Sequence, residues 1–224
     1  MELRDHNSSG PSTDLERVKV VSFDAEGTLV STDFSLTVWH EAIPRLYAEK
    51  NGVDLDRARQ EVFTRYDEVG DQRLEWYDIN YWLHHLELGT LQPVIDRCLH
   101  RICRYPEVDE VLSSLRQRYR LIVCSGTPTE LLDPLLEGIT PHFLRVFSST
   151  SHYRELKTPA FFQWVCDSLG FEPAEVVHVG DSWQFDYLNA RDAGMPAFHL
   201  DRSGASNGSL SSLLEFRDML AAFE

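Results

Sequence analysis

Short apolar segments alternate with helical stripes over most of the chain. Five such segments predict strands, at 20–23, 121–124, 144–147, 175–179 and 196–200. The sequence between them follows a helical period and predicts helices over 129–138, 159–169 and 183–193, with another through Val108, Val111, Leu112 and Leu115. Because strands that alternate with helices form parallel sheets with right-handed crossovers, the pattern predicts an α/β fold.

Between Ser31 and Tyr105 helical periodicity replaces this alternation. Four apolar stripes recur there: Trp39, Ile43, Leu46 and Tyr47; Leu55, Ala58, Val62, Tyr66 and Val69; Trp76, Ile79, Leu83 and Leu86; and Leu91, Val94, Ile95, Cys98, Leu99 and Ile102. Pro44 indicates a kink in the first helix, while Gly70 and Gly89 indicate the ends of the second and third. Four short helices with brief connections predict a small bundle.

The two patterns divide the chain into a core and an inserted module. We expect residues 15–31 and 105–224 to form a Rossmann-like parallel sheet core with flanking helices. We expect residues 32–104 to form the inserted helical bundle. Residues 1–14, which contain a run of Asn, Ser, Gly and Pro, are expected to form a flexible tail.

Composition is that of an ordinary globular protein. Hydrophobic residues make up 42% and charged residues 25% of the 224 positions, which favours neither disorder nor a disulfide scaffold. The four cysteines form no Cys-x-x-Cys pair, so we interpret them as reduced thiols in a cytoplasmic protein. No apolar stretch is long enough to span a membrane, and no basic region followed by an apolar signal core is present.

The net charge restricts the possible ligands. At −15 with no basic tract, the chain is unsuited to contacting nucleic-acid phosphates. A phosphorylated small molecule would need its charge neutralised locally, by a metal ion or by one of the few lysines. Those lysines are Lys19, Lys50 and Lys157.

Two carboxylates follow the first predicted strand. If the chain stays extended, Asp24 and Glu26 share one face, and Gly27 lets the backbone turn away. Two acids this close can divide the roles of nucleophile and proton donor. The same spacing also fits a strand that runs into an acidic turn.

A hydroxyl and a glycine follow the second long apolar run. Thr127 and Glu130 have the spacing of a capping box, with Pro128 at the first helical position, so Thr127 is predicted to cap the next helix. Ser125 and the Gly126 amide are then left to face an anion. An ordinary turn serine is the alternative.

Lys157 precedes another predicted helix, with Thr158 as its cap and Pro159 as its first residue. Exposed amides at a helix start attract an anion, and a lysine beside them would strengthen that attraction. A solvated surface lysine is the alternative.

A strand that ends in Gly-Asp supplies two more acids, Asp181 and Asp186. Hard oxygen ligands at a strand end suit magnesium, and Asp181 is the stronger candidate. Either acid could instead serve a helix start, as a cap or through the helix dipole. His178, inside the apolar run, is interpreted as a packed core residue.

Taken in order, these segments resemble the four signature motifs of the haloacid dehalogenase superfamily, a family largely of magnesium-dependent phosphatases and phosphotransferases. The first motif corresponds to Asp24 through Thr28, the second to Ser125, the third to Lys157 and the fourth to Asp181 with Asp186. The resemblance extends from about Val18 to Leu200. Most phosphatases of the superfamily have Asp where this chain has Glu26, whereas its dehalogenases lack an acid there.

The resemblance implies a function for each residue. Asp24 would attack phosphorus, and the Glu26 side chain would protonate the leaving alcohol and then activate water. Mg²⁺ would be held by Asp24, the Glu26 backbone carbonyl and Asp181, with Asp186 in support. Phosphoryl oxygens would be bound by the remaining candidates, Ser125, Gly126 and Lys157.

The inserted bundle matches the helical cap that covers the active site in many members of the superfamily. Such a cap implies a small phosphorylated metabolite as substrate. One or two of Trp39, His40, Tyr77 and Tyr81 are candidates to line the pocket, whereas Trp76 and Leu83 are expected in the core and His84 and His85 in solvent. The alternatives to a phosphatase are a phosphotransferase or mutase and a non-catalytic relative that only binds a ligand.

Overall fold

A parallel sheet of five strands forms the centre of the core. The computed structural model describes residues 15–222, and the predicted tail at residues 1–14 lies outside them. In chain order the strands are β1 (Val20–Phe23), β2 (Arg120–Ser125), β3 (Phe143–Ser148), β4 (Val176–Gly180) and β5 (Ala197–His199). Their order across the sheet is β3-β2-β1-β4-β5, and every neighbouring pair is parallel.

The register brings three strand ends to one level. Phe23, the last residue of β1, lies between Val123 of β2 and Val179 of β4. The residues just beyond these positions therefore meet at the carboxyl edge of the sheet, where open α/β sheets bind their ligands.

Within the described residues, six helices form the inserted segment that follows β1. They are α1 (Asp33–Thr37), α2 (Ile43–Asn51), α3 (Leu55–Val69), α4 (Leu74–Tyr77), α5 (Ile79–His85) and α6 (Gln92–Cys98). A wide π-helical turn, Val38–Ala42, joins α1 to α2, and a 3₁₀ turn, Leu99–Arg101, follows α6. Pro44 lies at the start of α2, directly after this wide turn, so the irregularity that its missing N–H predicts occurs as a π-helical turn immediately before it.

The third predicted helix is divided in two. The Asp78 carboxylate accepts hydrogen bonds from the N–H groups of Asn80 and Tyr81 and so caps a new helix, α5, inside the expected one. Gly70 ends α3 as predicted.

The remaining helices flank the sheet. They are α7 (Val108–Leu115), α8 (Thr129–Leu135), α9 (Pro159–Leu169), α10 (Asn189–Asp192) and α11 (Leu213–Ala221). Two further π-helical turns, Ser149–Tyr153 and Trp183–Leu188, follow β3 and β4. The predicted helix 129–138 ends early at Leu135, and the predicted helix 183–193 is this second turn followed by α10.

The last helix was not predicted from the sequence. Ser212 caps α11 by accepting the N–H of Glu215, and the Glu215 side chain in turn accepts the N–H of Ser211. This Ser-x-x-Glu spacing is a helix-start pattern that the sequence does contain.

Side chains of β1 alternate between two apolar layers. Val21 and Phe23 pack with α7 and α11 residues such as Leu112 and Phe216, while Val20 packs on the other face with Phe161 and other residues of α9. The α/β fold with an inserted helical bundle is therefore confirmed.

A third apolar cluster lies within the inserted helices. It includes Phe34, Val62 and Trp82, and Leu131 and Leu135 of α8 join it. The bundle is thus packed against α8, beside the carboxyl edge of the sheet. No helix within residues 15–222 is both long and apolar enough to cross a bilayer.

Candidate active site

Lys157 lies at the centre of the acidic groups. Its Nζ is 2.6 Å from Asp24 Oδ1 and 3.0 Å from the Cys124 carbonyl oxygen, and it also donates to Asp186 Oδ1. The side chain is only 4% exposed. It comes from the loop before α9, whose Thr158 cap and Pro159 start are confirmed, and Asn189 Nδ2 fixes the loop by donating to the Lys157 carbonyl at 2.7 Å.

Asp186 is held from several sides besides Lys157. His178 Nε2 is 3.0 Å from Asp186 Oδ1, and the Ser182 N–H donates to Oδ2 at 2.9 Å. The other ring nitrogen of His178 is 2.8 Å from the Ser22 hydroxyl. His178 is fully buried, as expected for a core residue, yet it also orients an acid of the site.

Burial and charge shift the pKa values of this cluster in different directions. Burial, with help from Asp186 and Asp181, raises the pKa of Asp24 despite the nearby Lys157. Burial would also raise the pKa of Asp186, but Lys157 and His178 hold it well below its usual range. Burial and Asp186 raise the pKa of Asp181 to about 6. The single positive charge of Lys157 thus does not balance the negative charge of three ionised carboxylates.

The three aspartates could hold a metal ion. One oxygen from each of Asp24, Asp181 and Asp186 lies within 4.8 Å of the others. Two of these aspartates pack directly against glycine backbone. A Cβ on Gly27 would collide with the Asp181 carboxylate, and a Cβ on Gly180 would collide with the Asp186 carboxylate. A set of hard carboxylate oxygens with excess negative charge fits a divalent metal ion.

Glu26 extends from the same loop toward the cleft. Its Oε2 accepts a hydrogen bond of 2.7 Å from the Thr127 hydroxyl, and its Oε1 is buried with no hydrogen-bond partner in the described residues. Burial raises the pKa of Glu26, and this effect outweighs the opposing influence of the Ser35 and Thr127 hydroxyls. A carboxyl with a raised pKa at a cleft can act as a proton donor.

The predicted capping function of Thr127 is wrong. Pro128 has extended backbone dihedrals and occupies the cap position itself, since α8 begins at Thr129. Thr127 is therefore one residue too early to cap α8, and its hydroxyl bonds to Glu26 across 101 positions of sequence.

Ser125 and Gly126 lie beside Asp24 at the end of β2 and line the same cavity. The Ser125 oxygen accepts the N–H of Thr127 at 3.2 Å, which leaves the Ser125 hydroxyl proton able to point toward an anion. The Gly126 carbonyl accepts the Thr150 hydroxyl. The seven residues that the sequence predicted for catalysis, phosphate binding and metal binding thus line one cavity. They are Asp24, Glu26, Ser125, Gly126, Lys157, Asp181 and Asp186.

The cavity has a volume of about 270 Å³ and an aromatic wall. Trp39 and Tyr77 of the four cap candidates line it, whereas His40 and Tyr81 do not. Trp76 also lines it and is half-buried, so its predicted core position is wrong; Leu83 is buried and His84 and His85 are exposed, as predicted. Further lining residues not foreseen from the sequence include Ser35, Leu131, Ser149, Thr150 and Phe185.

Arg202 stabilises the loop after β1, which contains Asp24 and Glu26. Its guanidinium donates to the Gly27 and Thr28 carbonyls at 3.1 and 2.7 Å and pairs with Glu107 at 2.7 Å, above the ring of Tyr105. No local sequence pattern marks this residue, because its contacts are 95 to 175 positions away.

The buried cysteines are unsuited to nucleophilic catalysis. Burial raises the pKa of Cys124 and of Cys166 to about 12, so both remain protonated thiols. Neither cysteine lines the cavity, whose acidic and basic residues within the described chain are its four carboxylates and Lys157.

Known proteins share this arrangement of sequence and fold. A model of haloacid dehalogenase-like hydrolases matches residues 18–194. Phosphoglycolate phosphatase of Vibrio vulnificus (strain YJ016) is 26% identical over 206 residues, 83% of this chain and 84% of its own. That of Pasteurella multocida (strain Pm70) is 34% identical over 199 residues, 80% of this chain and 84% of its own.

A solved structure of a phosphatase has a similar fold. The HAD phosphatase from Thermococcus onnurineus superposes with a TM-score of 0.75 at 25% identity, covering 91% of this chain and 98% of its own. The chain therefore belongs to the haloacid dehalogenase-like hydrolases.

Proposed function

We propose that the protein hydrolyses a small phosphorylated metabolite, with Mg²⁺ as cofactor and through an aspartyl-phosphate on Asp24. The observation that carries this proposal is the 2.6 Å contact between Lys157 Nζ and Asp24 Oδ1, within a cluster that also contains Asp181 and Asp186. A nucleophilic carboxylate needs a fixed position and nearby positive charge to approach a phosphate, and Lys157 supplies both.

Asp24 is the nucleophile in this mechanism. A carboxylate oxygen attacks phosphorus as the bond from phosphorus to the alcohol oxygen breaks, and that electron pair stays on the alcohol. Lys157, the Ser125 hydroxyl and Gly126 would bind the phosphoryl oxygens during this step. Mg²⁺, held by Asp24, the Glu26 carbonyl, Asp181 and Asp186, would neutralise phosphoryl charge when bound.

Glu26 exchanges protons in both half-reactions. The protonated carboxyl gives its proton to the departing alcohol oxygen, which a raised pKa favours. The resulting carboxylate then takes a proton from the water that attacks the aspartyl-phosphate. The second step releases inorganic phosphate, restores the Asp24 carboxylate and returns the proton to Glu26.

We also propose that residues 32–104 serve as a cap over a core formed by residues 15–31 and 105–224. The contribution of Trp39, Trp76 and Tyr77 to the cavity wall supports this division, since all three come from the inserted helices. A cap that reaches the reacting groups favours small substrates. The four free cysteines support a cytoplasmic location.

The first test measures phosphate release from a panel of phosphorylated metabolites with Mg²⁺ or with EDTA. We expect release to require Mg²⁺ and to disappear in Asp24→Asn, which keeps the shape of the side chain and removes its nucleophilicity. Phosphate release by Asp24→Asn near the wild-type rate would refute the covalent mechanism. Transfer of phosphate to an alcohol without net release would indicate a phosphotransferase instead.

A further inference from the structure

The wall of the cleft away from the reacting groups is apolar and largely aromatic. Trp39, Trp76, Tyr77, Leu131 and Phe185 line the cavity above Asp24. Aromatic side chains bind flat ring systems through stacking and edge contacts. They contribute little binding free energy for a small carboxylic acid that has no ring. The composition of this wall therefore bears on the alcohol part of the substrate.

The aromatic region extends beyond the first cavity. A second cavity of about 240 Å³ shares Glu26, Ser35, Trp39 and Trp76 with it and adds Tyr66 among others. The two spaces thus meet around the two tryptophans, next to the proposed proton donor. A leaving group of more than a few atoms can be accommodated on this side.

Charge in the two cavities opposes a second anion on the substrate. Among the described residues that line them, Lys157 is the sole lysine or arginine, and it already contacts two carboxylates. Four carboxylates face the same space: Asp24, Glu26, Asp181 and Asp186. With Mg²⁺ and Lys157 committed to the phosphoryl group, a substrate carboxylate would find no lysine or arginine of its own among these residues.

His40 is the other basic group to consider. It lines the second cavity, where its ring packs edge-on against Phe63 at 5.4 Å between centroids. It is absent from the lining of the first cavity, beside the phosphate site. A carboxylate only two carbons from the phosphate, as in phosphoglycolate, would therefore lie among the acids and not beside His40.

We propose that the substrate is a phosphomonoester whose alcohol part carries a flat, uncharged ring that binds against Trp39 and Trp76. This inference rests on the proposed phosphatase function and specifies its substrate class. That class differs from phosphoglycolate, the substrate in the names of the relatives from Vibrio vulnificus and Pasteurella multocida.

The test compares kcat/KM for four substrates: 2-phosphoglycolate, glycerol 3-phosphate, a nucleoside 5′-monophosphate and 1-naphthyl phosphate. We expect both ring phosphates to exceed 2-phosphoglycolate by at least tenfold. The two ring substrates distinguish a nucleoside from a simple aryl group. Preference for 2-phosphoglycolate over both would overturn the inference and leave the phosphatase function intact.

Substitution of the tryptophans tests the binding site itself. Trp76→Ala should raise KM for the preferred ring phosphate about tenfold or more, since stacking on one aromatic ring contributes roughly 1–3 kcal/mol. It should change KM for glycerol 3-phosphate less than twofold. Leu144→Ala, which removes an exposed apolar side chain of β3 outside both cavities, is the control and should leave both values unchanged.

Trp39→Leu provides a second variant, because Trp39 also packs against Tyr66 and its truncation could disturb folding. Equal losses for ring and non-ring substrates in both variants would overturn the inference. If no substrate is hydrolysed, the proposed function fails, and tryptophan fluorescence titrations of the wild type still decide this inference. Tighter binding of 2-phosphoglycolate than of either ring phosphate would then refute it.

Discussion

Lys157 links two carboxylates that would otherwise repel each other in a buried space. Asp24 and Asp186 each contact its ammonium group, and all three side chains are less than 10% exposed. Buried charge groups of this kind are strongly interdependent, because removing one leaves the others without compensation. The same side chain therefore contributes to both folding and the proposed chemistry.

Replacing Lys157 by Met should lower the free energy of unfolding by about 3 kcal/mol, since two buried carboxylates lose their cation. Urea denaturation of the wild type and of Lys157→Met measures the loss. The double variant Lys157→Met with Asp186→Asn serves as control and should recover part of it. If the double variant is no more stable than Lys157→Met, the ion pair between Lys157 and Asp186 is not the cause of the lost stability.

Thr127 should position Glu26 for proton transfer. Thr127→Val removes the hydroxyl that binds Glu26 Oε2, and a lost hydrogen bond of about 1 kcal/mol predicts roughly a fivefold lower kcat for an alkyl phosphate. For p-nitrophenyl phosphate, whose leaving group needs no proton, kcat should change little.

Glu26→Gln is the reference for that comparison. It should reduce the alkyl rate by roughly a hundredfold or more, again with a smaller effect on p-nitrophenyl phosphate. A Thr127→Val variant that slows both substrates equally would argue against a function through Glu26.

Secondary structure is most predictable where local chemistry and periodicity agree. Helix α9 was predicted at its observed bounds, because Thr158 and Pro159 define its start and apolar residues recur through it. The stripe that includes Trp76 and Leu83 was predicted as one helix, but capping by Asp78 interrupts it. Periodicity indicates which face is apolar and does not reveal where a side chain starts a new helix.

The loop after β1 depends on a contact that the sequence does not reveal. Arg202→Lys should remove the simultaneous bonds to Gly27, Thr28 and Glu107 and lower the free energy of unfolding by about 1–2 kcal/mol. It should also lower kcat, because this loop carries Asp24 and Glu26.

Urea denaturation with Arg217→Lys as control tests this prediction. Arg217 pairs with Glu110 and Asp218, whose side chains are 67% and 66% exposed, so its replacement should change stability by less than about 0.5 kcal/mol. Similar effects of both substitutions would contradict a special function of Arg202.

The site shows the same division between features that sequence can and cannot predict. Asp24, Ser125 and Asp181 could be placed together because parallel strands end at one edge of the sheet. The contact between Thr127 and Glu26 could not be predicted, since the local sequence pattern indicated that Thr127 caps the next helix. Long-range side-chain contacts leave no periodic trace in the sequence.

Excess negative charge should couple metal binding to the stability of the entire protein. With Mg²⁺ at a hundred times its dissociation constant, binding to the folded state alone stabilises it by about 2.7 kcal/mol. For a protein of this size, this corresponds to a rise in Tm of roughly 5–10 °C. Thermal unfolding with Mg²⁺ and with EDTA measures the shift without any substrate.

Two controls separate site binding from general screening of the net charge of −15. Sodium chloride at equal ionic strength should produce a much smaller shift, and Asp181→Asn should lose most of the Mg²⁺ effect. An unchanged shift in Asp181→Asn would place the ion elsewhere on the protein.

Three separate π-helical turns border the cleft: Val38–Ala42, Ser149–Tyr153 and Trp183–Leu188. They contribute Trp39, Thr150 and Phe185 to its wall. Each turn accommodates one residue more than an α-helical turn, so deletion of one residue within it would remove a side chain from the wall and leave the flanking residues in their existing register. Natural changes in chain length at these points would therefore alter one part of the cleft wall at a time, and relatives with the same catalytic groups could diverge in substrate through single-codon insertions and deletions.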